Sequence, residues 1–189
     1  IFLNTIIMNP EDINMEPIFE SAKQLKSELI SIRRTLHQYP EIGSLLPKTQ
    51  SFVFNKLKEY GYCPQKLCES AVVATISGKR PGKTILLRAD MDALPIQEAA
   101  PIPFASKNGS MHACGHDMHT TMLLGAAKLL KQYQQDLVGT VKLVFQPDEE
   151  GFTGAKAMLN AGVLENPHVD AGIAFHVVSG IPSGTVMCG

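Results

Sequence analysis

The sequence predicts an α/β fold in which helices cover both faces of a mixed, mostly parallel sheet, so that the domain has three layers. Two observations lead to this prediction. Apolar residues recur at helical spacing in some segments, whereas others are short β-branched runs. The two kinds of segment alternate along most of the chain, which is typical of strands connected by helices.

Two helices and two strands are predicted in the N-terminal half. Apolar residues within 17–38 recur three or four positions apart, which places them on one face of an amphipathic helix. A second helix is predicted over residues 47–60, where Gly61 ends it. Aliphatic and β-branched runs at residues 71–77 and 84–90 predict strands, and the connection GKRPGK predicts a hairpin-like turn between them.

The same alternation continues through the C-terminal half. A helix is predicted over residues 118–133 and a strand over residues 140–146. A short helix is expected at residues 153–161 and a strand at residues 171–178. A further strand is expected to begin within residues 183–189. This order of segments favours one layered domain with a largely buried sheet.

Composition and charge exclude several classes of protein. The 189 residues are 44% hydrophobic and 19% charged, which is typical of an ordinary globular protein. A formal net charge of −1 gives no basic surface for nucleic acid or an anionic membrane, so neither is expected as a partner. The opening IFLNTIIM is too short for a membrane span and lacks the basic flank of a signal peptide. We expect residues 1–15 to be a poorly ordered leader.

The four cysteines are too few and too scattered for a disulfide framework. Cys63 and Cys68 could form a bridge only if the chain turned sharply between them. Reduced thiols in a cytoplasmic protein are the better expectation.

The segment MHACGHDMH, residues 111–119, carries the strongest chemical signal. It brings together one thiol and three imidazoles, from Cys114, His112, His116 and His119. These groups are ligands for zinc and similar metals, and such a density is rare in a chain with 4 Cys and 6 His. Metal binding is therefore the first hypothesis, and a hydrolytic centre is the most direct use of such a metal.

Other polar candidates follow the predicted strands. The carboxyl ends of the strands in an α/β sheet meet at one edge, where ligands bind. Two adjacent carboxylates at such an edge can have different roles: one binds a metal, and the other accepts a proton from water. The residues expected at this edge are Asp90, Asp92, Cys114, His116, Glu149, Glu150 and His176.

Each candidate also has a structural interpretation. Cys114 alone would most often be a buried, inert thiol, although the neighbouring imidazole favours a ligand role. Asp90 could simply pair with Arg88. For His112 and His119 two interpretations stay open: a purely structural role, or orientation of a metal ligand.

Several motifs in this order resemble the metallo-amidohydrolase family. They are LHQYPEIG, LLRADMDALPI, MHACGHDMH, VFQPDEEG and GAKAML followed by AFHV, and they extend from about residue 37 to the C-terminus. The family contains hippurate hydrolase, N-acetyl-diaminopimelate deacetylase and the plant hydrolases of indole-acetic-acid amino-acid conjugates, which are relatives of aminoacylase and the zinc carboxypeptidases. The resemblance implies a zinc-peptidase-like catalytic domain, of which this chain holds an incomplete, N-terminal part.

The resemblance also implies a site and a reaction. Asp90 would support the metal site as an active-site aspartate. A metal-bound hydroxide would attack the amide carbonyl of an N-acyl amino acid, a small-molecule substrate, with Glu149 as the general base. Two divalent ions, which could be Zn, Mn, Co or Ni, would be bound by Cys114, His116, Glu150 and His176.

Two departures from the family pattern affect these expectations. Asp148 stands where relatives usually have alanine, and it could perturb the base or point to solvent, of which we favour the second. Family members are considerably longer, with an inserted lid domain and a return segment that supplies one more metal-binding histidine. We therefore expect residues 16–182 to be the N-terminal part of the catalytic domain and residues 183–189 to begin a truncated lid. The full-length form would be a homo-oligomer through that absent lid.

Three functions stay open on the sequence alone. The first is a metal-dependent amidohydrolase, of which the present chain by itself would be inactive. The second is a truncated homologue without catalytic activity that only binds metal or a partner. The third, a structural zinc site, is disfavoured because such sites have four N/S ligands and usually paired cysteines.

Overall fold

The alternating pattern produces five helices packed on one five-stranded sheet in the computed structural model, which describes residues 16–187. Within that range no helix is long and apolar enough to cross a membrane. The helices are α1 (Glu16–Gln24), α2 (Lys26–Gln38), α3 (Pro47–Glu59), α4 (His116–Gln132) and α5 (Gly154–Asn160). The strands are β1 (Gln65–Leu67), β2 (Ala71–Ser77), β3 (Arg80–Asp90), β4 (Val138–Gln146) and β5 (Ala171–Ala174).

The sheet has the strand order β1-β2-β4-β3-β5. On one side, β3 pairs in parallel with both β4 and β5. On the other side, β2 runs antiparallel to both of its neighbours, β1 and β4. Every strand except β2 therefore points in the same direction. The predicted α/β fold with a mixed, mostly parallel sheet is confirmed.

Successive side chains of the central strand β4 point to opposite faces of the sheet. Leu143 and Phe145 are fully buried in the main core, which α2, α3 and α4 cover. Val144 points the other way and packs with Met158 of α5 in a smaller core. Helices thus cover both faces of the sheet, as the three-layer prediction requires.

The predicted hairpin between residues 71–77 and 84–90 is wrong. These segments form β2 and β3, but they do not pair because β4 lies between them. The chain crosses the start of β4 at Gly78, whose N–H donates to the carbonyl oxygen of Gly139 (2.9 Å). A Cβ at position 78 would overlap with the carbonyl group of Leu137, so only glycine fits this crossing.

The helices predicted at 47–60, 118–133 and 153–161 are confirmed to within two residues, and so is the strand at 140–146. The single helix expected over residues 17–38 is instead two helices. They separate where the N–H of Leu25 bonds to the carbonyl oxygen of Ala22 (3.1 Å), three residues back, which interrupts the α-helical pattern. The short strand β1 has no counterpart in the prediction.

The remaining differences lie at the two ends of the chain. No strand forms within residues 183–187, and the predicted leader at residues 1–15 lies outside the described residues. The strand expected over residues 171–178 ends early, at Ala174. Beyond it, the N–H of Val177 donates to a histidine side chain instead of a neighbouring strand, so His176 lies in the loop that follows β5.

A cluster of charged side chains, which we call the buried charge cluster, joins α2, α4 and the loop between β3 and α4. It consists of Arg33, His37, Glu98 and Asp117. His37 Nδ1 lies 2.7 Å from Asp117 Oδ2, and its Nε2 lies 2.9 Å from Glu98 Oε1. Arg33 Nε lies 2.8 Å from the same oxygen of Asp117. Both ring nitrogens of His37 face carboxylate oxygens, so both must carry hydrogen, and the ring is an imidazolium.

The imidazolium of His37 makes stability depend on pH. Its hydrogen bond to Asp117 raises its pKa above the ordinary value, although burial opposes the charge. The stabilisation is therefore fully present below the unfolded-state pKa of about 6.5 and is lost as pH rises through the higher folded-state pKa. We expect His37→Gln to lower the free energy of unfolding by about 3 kcal/mol near pH 6 and by less at alkaline pH.

Urea unfolding of both proteins over a series of pH values measures this difference. His168→Gln is the matched control, because His168 is exposed and its pair with Glu165 (3.3 Å) lies at the surface. A difference for His37→Gln that stays constant or grows as the pH rises would contradict the imidazolium assignment.

Candidate metal centre

The predicted site residues converge at the carboxyl edge of the sheet, beside the N-terminus of α4. Three groups of side chains place potential metal-binding atoms within 4.8 Å of one another. Because His116 belongs to all three groups, the site is organised around one imidazole. The groups are Cys114–His116–His176, Asp90–His116–His119 and His116–Glu149–Glu150.

A left-handed turn at Gly115 brings Cys114 and His116 to the same place. Gly115 has a φ of 90° and directly precedes α4. A Cβ on this residue would overlap with the side chain of Val177, in the loop after β5. The turn therefore needs glycine for its dihedral angle and for the close approach of that loop. His116 occupies the first position of α4 as a result.

His116 is fully buried, and neither of its ring nitrogens makes a hydrogen bond. Nδ1 lies 3.4 Å from Asp92 Oδ1, and Nε2 lies 3.8 Å from Glu150 Oε1, which is also buried without a partner. Burial disfavours a charge on the ring, but the surrounding acids outweigh it and raise the pKa of His116. Unpartnered buried polar atoms are rare, and this donor set fits a divalent cation.

Cys114 and His176 form a second pair of candidate ligands. Cys114 Sγ lies 3.3 Å from His176 Nε2. His176 Nδ1 lies 2.6 Å from the carbonyl oxygen of Val177, so Nδ1 carries the ring hydrogen and Nε2 offers a lone pair. Burial and the Glu150 carboxylate raise the pKa of Cys114 to about 11, so the metal-free side chain is a neutral thiol. A bound cation reverses this effect, because a coordinating thiol is deprotonated.

Asp90 and His119 bond to each other and to the protein around them. Asp90 Oδ1 accepts a hydrogen bond from His119 Nδ1 (2.6 Å), and its Oδ2 pairs with Arg88 (2.8 Å). The ion pair between Asp90 and Arg88, which sequence analysis gives as an alternative interpretation, is therefore present. Burial alone would raise the pKa of Asp90, but the bond from His119 and nearby positive charges lower it. Because His119 Nε2 accepts the N–H of Val177 (2.9 Å), this pair positions the loop that carries His176.

Asp92 belongs to the site, although sequence analysis assigns it no role. Its two oxygens accept the backbone N–H groups of Glu149 and Glu150, each at 3.0 Å. Burial alone would raise its pKa, but His116 and the two N–H groups lower it. Asp92 thus fixes the backbone of both glutamates. Its position two residues after Asp90, just beyond the end of the same strand, is the sequence signal that could have identified it as a site residue.

Asp148 does not point to solvent, so that expectation is wrong. It is 8% exposed, and its carboxylate accepts a hydrogen bond from the hydroxyl group of Thr153. Its φ of 55° lies in the left-handed region, which aspartate tolerates better than alanine does. Asp148 therefore closes the turn that carries Glu149 and Glu150.

His112 is buried, and neither of its ring nitrogens has a hydrogen-bond partner. Burial lowers its pKa to about 4, so the ring is neutral at physiological pH. Its centroid lies 6.4 Å from that of His37, beside the buried charge cluster. It belongs to none of the three groups of candidate ligands found within residues 16–187.

Comparison with known proteins identifies relatives of this chain. Residues 86–189 match the family described as Peptidase family M20/M25/M40. An N-acyl-L-amino acid amidohydrolase from Geobacillus stearothermophilus is 42% identical over 174 residues, which cover 90% of this chain and 46% of that protein. An IAA-amino acid hydrolase ILR1-like 5 from Arabidopsis thaliana is 49% identical over 150 residues, which cover 79% of this chain and 34% of that protein.

A solved structure shares the fold. The YXEP protein of Bacillus subtilis, described as a dinuclear metal binding peptidase from the M20 family, matches with a TM-score of 0.81 and 42% sequence identity. The match covers 85% of this chain and 45% of that one. The resemblance found in the motifs is thereby confirmed, and the chain spans less than half the length of each of these relatives.

Asp92→Asn should lower the free energy of unfolding by about 2 kcal/mol, because the asparagine NH₂ group would face one of the two partly buried backbone N–H groups, which would lose its acceptor. Urea unfolding followed by circular dichroism measures the change. Asp170→Asn is the control, since Asp170 accepts only one backbone N–H, from Thr84 (2.8 Å), while its other oxygen pairs with Lys83, so that the asparagine oxygen can keep the backbone hydrogen bond. Equal losses in the two variants would contradict the role assigned to Asp92.

Proposed function

Since this chain belongs to peptidase family M20/M25/M40, we propose that it forms the metal-binding part of an amidohydrolase that cleaves the amide bond of N-acyl amino acids. The observation that carries the proposal is His116, which is buried without a hydrogen-bond partner and surrounded by a thiol, imidazoles and carboxylates. The similarity to an N-acyl-L-amino acid amidohydrolase supports the substrate class.

Two divalent ions are the proposed cofactors. Thiolate, imidazole and carboxylate donors together suit Zn, Mn, Co or Ni. When bound, such ions supply Lewis acidity toward an amide carbonyl and favour the ionisation of water. Four donors for two ions leave coordination positions for water, for substrate and for ligands from the rest of a longer protein. The proposed donors are Cys114, His116, Glu150 and His176.

We assign different roles to the two adjacent glutamates from their surroundings. Glu150 Oε1 is buried without a partner and faces His116, which supports a ligand role. The Glu149 side chain is 35% exposed and can reach a water molecule, which supports a role as general base. Glu149 would take a proton from the attacking water and deliver it to the nitrogen of the leaving amine. Asp90 would act through His119, which bonds to the loop that carries His176.

The proposed location is the cytoplasm. Cys63 and Cys68 are exposed free thiols, and thiols of this kind persist in a reducing compartment.

A truncated homologue that binds metal without catalysing hydrolysis is the second candidate. The chain spans 46% of one curated relative and 34% of another, so the activity of those whole proteins is proposed for a longer form and not for these residues alone. We expect the 189-residue chain by itself to show negligible hydrolysis of N-acetyl or N-benzoyl amino acids, whichever of the four metals is supplied.

Metal binding can be tested on the chain as it is. Equilibrium dialysis against Co²⁺, followed by elemental analysis, should show that His116→Ala has a lower metal content, because this residue belongs to every group of candidate ligands. Glu149→Gln should leave the metal content unchanged. A full metal content in His116→Ala would contradict the proposed centre.

Catalysis can be tested in a longer form of the protein that hydrolyses N-acetyl amino acids. Glu149→Gln should lower kcat by about a thousandfold, because the amide cannot accept the proton of the attacking water. Glu165→Gln, the same substitution at an exposed glutamate next to His168, is the control and should leave kcat unchanged. An unchanged kcat in Glu149→Gln would exclude Glu149 as the base.

A further inference from the structure

The motif LHQYPEIG contributes no side chain to the candidate metal centre, yet it contacts the chain segments that do. We call its residues 37–43 the anchor segment. The carbonyl oxygen of Glu41 accepts the N–H of Ala93 (2.8 Å), in the segment that follows β3. The carbonyl oxygen of Pro40 accepts a side-chain N–H of Asn108 (2.8 Å), in the loop that leads to α4. The anchor segment is therefore bonded along the loop between β3 and α4.

That loop has little regular structure of its own. Apart from isolated bridges, residues 91–115 form neither helix nor strand, although they include Cys114 and lead directly into His116. Its backbone hydrogen bonds are scattered, and two of them join Leu94 to Met111 (both 3.0 Å). Side-chain contacts add to these bonds in holding the loop in one conformation.

His37 supplies two side-chain contacts, one near the beginning of the loop and one just beyond its end. One ring N–H donates to Asp117, the residue after His116 (2.7 Å). The other donates to Glu98, near the beginning of the loop (2.9 Å). The second oxygen of Glu98 accepts the backbone N–H of Ser106 (2.5 Å), which extends the connection along the loop.

The surroundings of His37 keep this arrangement in place. Arg33 Nη2 lies 3.2 Å from His37 Nδ1, but two donors cannot bond to each other, so the Asp117 oxygen at 2.7 Å is the acceptor. Phe104 packs edge-on against His37, with ring centroids 5.8 Å apart. The guanidinium groups of Arg33 and Arg34 lie 5.3 and 4.8 Å from the Phe104 centroid and cover it.

We propose that His37 is a positioning residue for the metal centre, because its two ring N–H groups fix both ends of the loop that carries Cys114 and leads into His116. This inference rests on the metal-binding function proposed above. His37 touches none of the proposed ligands, so it acts through Asp117 and Glu98. Contacts behind the ligands of a metal site commonly change metal affinity by an order of magnitude or more.

The Co²⁺ affinity of the 189-residue chain, measured by competition with a chelator at a fixed neutral pH, tests the proposal. His37→Gln should bind Co²⁺ about tenfold more weakly, and its cobalt–thiolate absorption should change because Cys114 is no longer held in one position. Glutamine keeps a single donor group, so only one end of the loop can stay bonded. Glu98→Gln, which removes the charge from the other end alone, should weaken binding in the same direction and serves as a second variant if His37→Gln does not fold.

Tyr62→Phe is the matched control for stability. The buried Tyr62 hydroxyl donates to the carbonyl oxygen of Ala127 in the C-terminal half of α4 (2.7 Å), away from the buried charge cluster. This variant should lower the melting temperature without changing the Co²⁺ affinity or the absorption spectrum.

The outcomes distinguish the proposed metal-binding function from the positioning role of His37. If the unmodified chain does not bind Co²⁺, the proposed function fails and this inference fails with it. If the unmodified chain binds Co²⁺ and the folded His37→Gln and Glu98→Gln variants bind it equally well, only the positioning role is overturned. Weaker binding by Tyr62→Phe to the same degree would show that affinity follows stability, which would also overturn the positioning role.

Discussion

The arrangement of the candidate metal centre depends on the left-handed turn at Gly115, where an irregular loop enters α4. The turn places Cys114 and His116 on either side of one residue, yet directs both toward the same point. Because the missing Cβ leaves room for Val177, the loop after β5 packs directly against the turn and brings His176 to Cys114. One backbone dihedral angle thus brings together candidate ligands from two distant parts of the chain.

Asp90 and Asp92, which position the site, are as fully buried as its central candidate ligand, His116. Asp90 and Asp92 would each be costly to bury as isolated charges, and each is stabilised by donors on both oxygens. Asp92 holds the backbone of the two glutamates after β4, and Asp90 bonds to His119, which in turn bonds to the loop after β5. His116 differs from them, because its nitrogens have no hydrogen-bond partner. The polar groups that support the site are satisfied by protein, whereas the group at its centre is not.

Sequence periodicity is sufficient for most helices and strands, because an element that buries one face must repeat its apolar residues at a fixed spacing. The location of the site also follows from sequence, since parallel strands share their carboxyl edge. The pairing of β2 with β4 does not follow, because it depends on a close crossing at Gly78 that involves distant residues. The position of His176 depends on the hydrogen bond from the N–H of the neighbouring Val177 to His119, and the position of Asp148 depends on its own left-handed backbone conformation. Neither feature produces a periodic pattern in the sequence.

The exposed fractions of the proposed site residues show which side of the candidate centre is open to solvent. His116 is fully buried, the Glu150 side chain is 26% exposed, the Glu149 side chain is 35% exposed, and His176 is exposed. His116 offers no surface to solvent, so the substrate that we propose would approach from the more exposed side, that of Glu149 and His176. This increase in exposure from His116 to Glu149 agrees with the proposed chemistry. The exclusion of water strengthens the interaction of a ligand with a cation, whereas a general base has to exchange protons with water. The partial exposure of Glu149 therefore agrees with its proposed role better than complete burial would.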